Sequence, residues 1–198
     1  MHQRLSEEKN PWTTLRSSRR YENKWIAVDE HEVRDAAGNT SPYGVVRFKR
    51  RGHTILPIDS EGCTYLVGQY RYAAGRYSWE LPAGGGRLEE DPLEAAQREL
   101  REETGITAEH WLELLHLTIS GAITDERAVC YVAWGLDRQK RELDEQEVVK
   151  VRRVHFAEVM SMVLKGEINS AVSVATVLAV HARASCGDLP EGFGRLLT

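Results

Sequence analysis

The side chains best suited to chemistry lie on one predicted helix. Glu99 and Glu103 are four residues apart, so a helix places them on one face, with Glu102 beside it. Like charges at this spacing destabilise a bare helix by roughly 0.2–0.5 kcal/mol per pair, and a divalent cation would turn the repulsion into attraction. Hard carboxylate oxygens suit Mg²⁺ or Mn²⁺ rather than zinc, and Mg²⁺ favours a few carboxylates together with substrate phosphates. The alternative is a solvated acidic face whose charges pair with Arg98 and Arg101.

Local signals give this helix defined ends. Asp91 is a good N-cap, Pro92 suits the first helical position and Gly105 suits the position after the last. Asp91 and Glu94 also have the spacing of a capping box. These signals predict a helix over residues 92–104. The glycine-rich stretch LPAGGGR before it is expected to be a loop whose backbone a ligand or ion can approach closely.

Around this helix the sequence predicts an α/β fold with a small N-terminal β unit. Residues 1–50 form the N-terminal arm and β unit, and residues 51–198 form the main domain. Residues 1–18 are polar and are expected to be a partly mobile arm, and two strands joined by the turn AAGN follow. A unit of this size cannot bury its own face, so it must pack on the rest of the chain or on a second subunit.

The main domain is predicted to mix strands with few helices. Strands are expected in HTILPID and CTYLVGQYRY, and near residues 111–119, 128–134 and 148–156; helices are expected near residues 156–165 and 170–183. This order favours a mixed α/β sandwich. No GxGxxG opens a βαβ unit, which argues against a dinucleotide-binding Rossmann fold.

The composition is that of a globular protein. The chain has 198 residues, 41% of them hydrophobic and 28% charged, which excludes a disordered chain. A net charge of −4 gives no overall attraction to nucleic acid or to anionic membranes. Three widely spaced cysteines without a CxxC motif predict neither a disulfide framework nor a zinc site. With no secretory signal and no apolar stretch long enough to span a membrane, we expect a cytoplasmic protein.

A longer pattern around the helix resembles the Nudix box, G-x5-E-x7-R-E-U-x-E-E-x-G-U, where U is apolar. Every fixed position is present: Gly84, Glu90, Arg98, Glu99, Leu100, Glu102, Glu103, Gly105 and Ile106. The segments GQYRY, SWELPAGG, DEQEVVKV and KGEINSAVSVATVLA extend the resemblance to the ADP-ribose and nucleoside-diphosphate-sugar pyrophosphatase branch. The resemblance implies a Nudix α/β/α sandwich around a mixed sheet, and an N-terminal unit that exchanges between the subunits of a homodimer.

The same resemblance implies that divalent metals, Mg²⁺ or Mn²⁺, assist water in cleaving a pyrophosphate bond. The expected products are a nucleoside monophosphate and a sugar phosphate. Carried over by position, the metal ligands are Glu99, Glu103 and the Ala83 carbonyl, with Glu102 beside them in a catalytic or ligating role. Arg98 is expected to orient the glutamates, since its planar guanidinium suits that task. Gly84, Glu90 and Gly105 are expected to be structural residues of the box.

In this branch a catalytic glutamate often comes from a loop outside the box, which corresponds here to RQKRELDEQEVV. Glu145 is the predicted base and Glu147 an additional metal ligand, with Glu142 and Asp144 as rivals. The alternative is an acidic loop that is merely solvated.

Four further residues are candidates for substrate binding. Arg71 could contact the phosphates or the terminal sugar, and Glu80 could accept a hydrogen bond from the base or ribose. Trp25 or Tyr21 could stack on the base, across the dimer if one forms. The alternatives are a surface charge at a strand end for Arg71 and core or interface packing for the aromatic residues.

One departure concerns the stretch TISGAITDER. It has Gly121-Ala122 where ADP-ribose enzymes often carry Pro-Gly, so a broader range of nucleotide sugars is plausible. Two other functions stay open. One is hydrolysis of a different nucleoside diphosphate derivative, such as a dinucleoside polyphosphate or NADH. The other is a nucleotide-sugar-binding domain without catalysis, although such domains usually lose the box glutamates that this chain retains.

Overall fold

The structure, a computed structural model, describes residues 9–138, 149–194, 196 and 197. Two compact units are present. The first contains the chain up to Lys49 together with Ser120–Asp125, and the second contains Arg50–Ile119 and the chain from Glu126 onward. Segment 120–125 of the first unit is an insertion that the sequence did not indicate.

The first unit is a three-stranded antiparallel sheet of order β1-β2-β3, with the strands β1 (Thr13–Glu22), β2 (Ile26–Arg34) and β3 (Thr40–Phe48). The predicted turn joins β2 to β3: the Asp35 carboxylate accepts the Ala37 and Asn39 N–H groups, and Gly38 adopts a φ of 89°. The prediction of an arm through residue 18 is wrong for residues 13–18, which belong to β1. Nearly all β1 side chains are exposed, so backbone pairing with β2 holds the strand without any apolar alternation.

Segment 120–125 extends this unit beside β3. Val46 donates its N–H to the Ile123 carbonyl at 2.8 Å, and Asp125 donates its N–H to the Val46 carbonyl at 3.2 Å. The Asp125 carboxylate accepts the Phe48 N–H at 2.8 Å. The stretch that departs from the Pro-Gly pattern is therefore held beside β3 by its bonds to Val46 and Phe48.

The second unit contains two sheets. A four-stranded sheet has the order β7-β4-β9-β8, and a three-stranded sheet has the order β10-β5-β6. The strands are β4 (Arg50–Pro57), β5 (Cys63–Arg71), β6 (Arg76–Glu80), β7 (Ala83–Arg87), β8 (Ile106–Thr118), β9 (Arg127–Arg138) and β10 (Lys150–His155). The four-stranded sheet is mixed because β4 and β9 run parallel while the other pairs are antiparallel. The predicted glycine-rich loop is wrong in part, since its glycines lie within β7, and β6 was not predicted.

In its described residues this unit also has four α-helices: α1 (Pro92–Thr104), α2 (Phe156–Leu164), α3 (Ala171–Ser185) and α4 (Glu191–Gly194). Two successive residues of β4 pack in two different hydrophobic clusters. Ile55 packs in a cluster with Leu100 of α1, whereas Leu56 packs in a cluster with Val177 of α3. Because successive strand residues point to opposite faces, α1 and α3 cover opposite faces of the four-stranded sheet. This arrangement confirms the predicted α/β sandwich. Among the described helices, none combines the length and the hydropathy that a membrane span needs.

Candidate active site

Helix α1 begins and ends where its local signals predict. The Asp91 carboxylate accepts the N–H groups of Leu93 at 2.9 Å and Glu94 at 3.1 Å, which satisfies two donors that have no partner inside the helix. Gly105 adopts a left-handed φ of 71° and returns its N–H to the Arg101 carbonyl at 2.8 Å. The caps fix where the helix begins and ends, and the packing of Ala96 and Leu100 in the core sets which face carries the carboxylates.

The edge strand β7 presents backbone groups to this helix. Because the Ile55 N–H bonds the Pro82 carbonyl, and β7 pairs antiparallel with β4, the pairing groups of β7 alternate. Ala83, Gly85 and Arg87 direct their N–H and carbonyl groups away from β4. An edge of this kind would otherwise leave unpaired donors and acceptors.

Side chains of the box bond two of these outward groups. The carboxylate of Glu103, which is only 6% exposed, accepts the Ala83 N–H at 2.9 Å. The Glu90 carboxylate accepts the Arg87 N–H at 3.1 Å. Since both groups of a strand residue point the same way, the Ala83 carbonyl also faces the side on which Glu103 lies.

Glycine is required at two positions of β7 by close approach rather than by backbone conformation. A Cβ on Gly84 would lie 1.9 Å from Glu99 Oε2, so the Glu99 carboxylate occupies the space that any other side chain would fill. A Cβ on Gly86 would lie 2.7 Å from the Ala95 Cβ of α1. The two glycines thus let α1 and the Glu99 carboxylate rest directly on the strand.

Arg98 contacts three carboxylates of the box. Its Nη1 donates to Glu99 Oε1 at 2.8 Å and to Glu102 Oε2 at 3.0 Å, and its Nε lies 3.4 Å from Glu90 Oε1. Burial lowers the pKa of Arg98, but Glu99 and the other carboxylates outweigh it and raise the pKa overall. Burial likewise raises the pKa of Glu90, but the Arg87 N–H and the Arg98 charge outweigh it and hold that pKa below its usual value. The geometry is that of a guanidinium that holds carboxylates in place.

The donor set fits a divalent metal of the hard type. The carboxylates of Glu99 and Glu103 lie against Gly84 and Ala83, two consecutive residues of β7, and the Ala83 carbonyl faces the same side. Within the described part of the chain, no three His, Cys, Asp or Glu side chains gather closely enough to hold a metal by themselves. Two carboxylates and a carbonyl leave coordination positions for water and substrate phosphates, as Mg²⁺ favours.

Arg71 and Glu80, both candidates for substrate binding, form an ion pair with each other. Arg71 on β5 donates from Nε to Glu80 Oε1 at 3.1 Å and from Nη2 to Glu80 Oε2 at 2.8 Å, a bidentate geometry. Glu80, at the end of β6, is 6% exposed. Burial raises the pKa of Glu80, but the bonds from Arg71 outweigh it and lower the pKa overall. The buried Glu80 carboxylate thus holds the guanidinium group of Arg71, whose side chain is 40% exposed.

The remaining candidates lie elsewhere or outside the described residues. Tyr21 and Trp25 are in the first unit, where both side chains are about half exposed. The predicted loop carboxylates, Glu145, Glu147, Glu142 and Asp144, all lie outside the described residues.

The sequence reasoning assigned no role to histidines, yet His53 of β4 lies beneath the box. It is 2% exposed, and its Nδ1 has no hydrogen-bond partner among the described residues. Burial, and then the charge of Arg51, lower its pKa to about 4, so the ring is neutral at pH 7. A Cβ on Gly86 would lie 2.9 Å from His53 Nε2 and 3.0 Å from Glu90 Oε2. The available signal was a histidine at the start of HTILP, a segment that the sequence predicts to be a strand.

Comparison with known proteins agrees with this geometry. The NUDIX domain family matches residues 48–176, and the nucleoside diphosphate sugar hydrolase N-terminal domain matches residues 12–46. An ADP-ribose pyrophosphatase of Mycobacterium tuberculosis is 39% identical over 65% of this chain and 63% of its own length. An ADP-ribose pyrophosphatase of Bacillus subtilis is 30% identical over 80% of this chain and 86% of its own length.

A solved structure of an ADP compounds hydrolase superimposes with a TM-score of 0.81. The superposition covers 93% of this chain and the whole of that structure, at 22% sequence identity. At this level of sequence identity, the similarity is evidence for the fold alone.

Proposed function

The chain belongs to the Nudix family, and from this premise we propose that it hydrolyses the pyrophosphate bond of ADP-ribose or of another nucleoside-diphosphate sugar. The observation that carries the proposal is the convergence of Glu99 and Glu103 on Gly84 and Ala83 of β7. Relatives that are ADP-ribose pyrophosphatases at 39% and 30% identity support the substrate class. The products are a nucleoside monophosphate and a sugar phosphate.

Glu99, Glu103 and the Ala83 carbonyl would hold the divalent metal, which we propose to be Mg²⁺ or Mn²⁺. A bound metal of this kind neutralises phosphate charge and lowers the pKa of water. The protein's own part is positioning. Arg98 keeps the carboxylates of Glu99 and Glu102 at fixed places through bonds of 2.8 and 3.0 Å. Glu102 is the more exposed of the two, which leaves it accessible to water or to a second ion.

Other parts of the proposal come from the sequence resemblance. Glu145 is the proposed base and Glu147 an additional ligand. Arg71, supported by Glu80, is proposed to contact the phosphates or the sugar. Tyr21 or Trp25 is proposed to stack on the base, and the N-terminal unit to form a homodimer. We also propose a cytoplasmic location, in keeping with three cysteines that are all unpaired in the structure.

The decisive variant is Glu103→Gln. A glutamine oxygen can still accept the Ala83 N–H, so the bond to β7 survives while the negative charge is lost. We expect metal-dependent release of nucleoside monophosphate from ADP-ribose, ADP-glucose or GDP-mannose to fall by about 100-fold or more, as expected when a group that stabilises the transition state electrostatically is removed. Glu109→Gln, on an exposed part of β8, is the matched control and should be unchanged.

Unchanged turnover in Glu103→Gln would contradict the role of this carboxylate. Release of a different product, identified by mass spectrometry, would indicate another nucleoside diphosphate derivative as substrate. Nucleotide sugars that bind with metal present and stay intact for hours would instead indicate a binding domain.

A further inference from the structure

We propose that Arg50 and Arg87 form an anion-binding subsite beside the box, which holds phosphoryl oxygens of the substrate that the metal does not take. The proposal rests on the proposed function and names how the same site binds its diphosphate. Its physical basis is a cavity of about 540 Å³ in the second unit, lined by Arg50, Arg87, Glu89, Glu90 and Arg98.

The two arginines are directly opposite each other on neighbouring strands. Arg50 of β4 pairs in register with Arg87 of β7. Like charges in directly opposed positions destabilise a sheet, so an anion bound near both guanidinium groups would relieve the repulsion between them. Within the part of the chain that the structure describes, no carboxylate comes within ion-pair distance of Arg87, whose side chain is exposed.

Arg50 is held so that it lines the cavity. Its Nη1 donates to the Gly85 carbonyl at 2.9 Å, one of the groups that β7 directs away from β4. A Cβ on Gly85 would lie 3.3 Å from Arg50 Cδ, so the arginine stem packs along this glycine. An arginine fixed in this way loses little conformational freedom when it binds an anion.

The cavity adjoins the metal-binding carboxylates. Arg98 lines it and, through its Nη1, contacts Glu99 at 2.8 Å, so one side chain separates the cavity from a proposed metal ligand. Of the two acidic residues in the lining, Glu90 is already engaged by Arg98 and by the Arg87 N–H. Arg87, which has no carboxylate within ion-pair distance among the described residues, gives this part of the lining a positive charge.

The chemistry of the lining selects a phosphoryl group. Arginine offers paired donors that match phosphate oxygens, and none of the described residues that line the cavity is an aromatic one on which a base could stack. The diphosphate of the substrate is therefore the part that fits, with one set of oxygens at the metal and others at these arginines.

The test uses Arg50→Gln, Arg87→Gln and the double variant, each beside its Arg→Lys counterpart. Lys165→Gln removes the same charge from an exposed position at the end of α2 and is the control. Each Arg→Gln change should raise KM for the nucleotide sugar by about tenfold, the loss expected for a charge-assisted hydrogen bond. We expect kcat to change less than about twofold and lysine to restore part of the affinity, because a charge remains without the paired donors. KM values equal to wild type in Arg87→Gln would overturn the proposal even if Arg50→Gln fails to fold.

A second measurement separates this subsite from the proposed function. Binding of inorganic pyrophosphate is followed by calorimetry in EDTA, where no metal contributes and no hydrolysis occurs. Wild-type binding that weakens in Arg87→Gln and not in Lys165→Gln supports the subsite, whether or not the protein hydrolyses any nucleotide sugar. Equal binding by wild type and variant, or none by wild type, would overturn it, while hydrolysis by wild type would leave the proposed function standing.

Discussion

Replacing Gly84 with alanine should separate the chemistry of the site from the stability of the fold. A Cβ at this position would lie 1.9 Å from Oε2, 2.0 Å from Cδ and 2.6 Å from Oε1 of Glu99. Ordinary contact begins near 3.4 Å, so the carboxylate must move by about 1.5 Å. A misplacement of about 1 Å in a catalytic arrangement can cost about 100-fold in rate. We therefore expect Gly84→Ala to lose at least that much activity.

The same change should leave the fold nearly intact. Gly84 has no positive φ, so an alanine fits the backbone, and the three atoms nearest to the added Cβ all belong to the end of a flexible side chain. Alanine also restricts the unfolded chain, which stabilises by about 0.4–1 kcal/mol where the backbone is compatible. Part of that gain offsets the cost of displacing Glu99 from Arg98. Since 1 kcal/mol corresponds to about 2–4 °C in Tm for a chain of this size, the Tm should stay within about 4 °C of wild type.

The assay measures nucleoside monophosphate release as a function of Mn²⁺ concentration, with thermal unfolding measured on the same samples. We expect a lower kcat and a higher metal concentration at half-maximal rate, because a proposed ligand has been displaced. Gly192→Ala is the control, since its Cβ would meet only Trp134 Nε1 at an ordinary 3.8 Å. If Gly84→Ala retained more than half of the wild-type rate with the same metal dependence, the inference that Glu99 acts from its place on Gly84 would be refuted.

Two further outcomes test the frame around the site. Asp91→Ala removes the acceptor for two N–H groups of α1, so urea unfolding should show a loss of about 1 kcal/mol, whereas Asp91→Asn should keep most of it; equal losses would contradict the capping role. The His53 side chain is neutral in the folded protein down to a pH of about 4, but it takes up a proton near pH 6.5 when the chain is unfolded. Between these pH values the unfolded state therefore binds more protons than the folded state. The free energy of unfolding falls as the pH decreases through this window. His53→Leu should flatten that dependence by up to about 1.4 kcal/mol per pH unit, and unfolding free energies at pH 4.5, 5.5 and 6.5 that fall as steeply as in wild type would refute it.

Helix α1 could be predicted to the residue because its signals are local. Asp91, Pro92 and Gly105 act within one turn of each end, and no distant contact is needed to specify them. The sharing of one face by Glu99 and Glu103 follows from helical periodicity in the same way. The sequence therefore specified which carboxylates share a helix face before any tertiary contact was known.

The partners of these side chains could not be predicted, because they depend on which elements meet. The glycine run indicates a flexible loop by local propensity, yet residues 83–87 are a strand because β4 offers a pairing edge. Arg71 and Glu80 are nine residues apart, with no spacing rule that joins them until β5 and β6 form a hairpin. The opposition of Arg50 and Arg87 likewise exists only once the register of β4 and β7 is fixed.

The box glutamates bond the edge strand β7 in addition to the metal-binding role proposed for Glu103. Ala83, Gly85 and Arg87 turn their backbone groups outward, and Glu103 and Glu90 accept two of the resulting N–H donors. A carboxylate has about four lone-pair positions, so Glu103 can bond β7 and still coordinate a metal. The bond to Ala83 also holds this carboxylate in place before a metal arrives, which lowers the ordering cost of binding. The spacing of the box thus meets a geometric requirement: Glu90, just before α1, and Glu103, within it, lie level with two positions where β7 exposes a backbone N–H group.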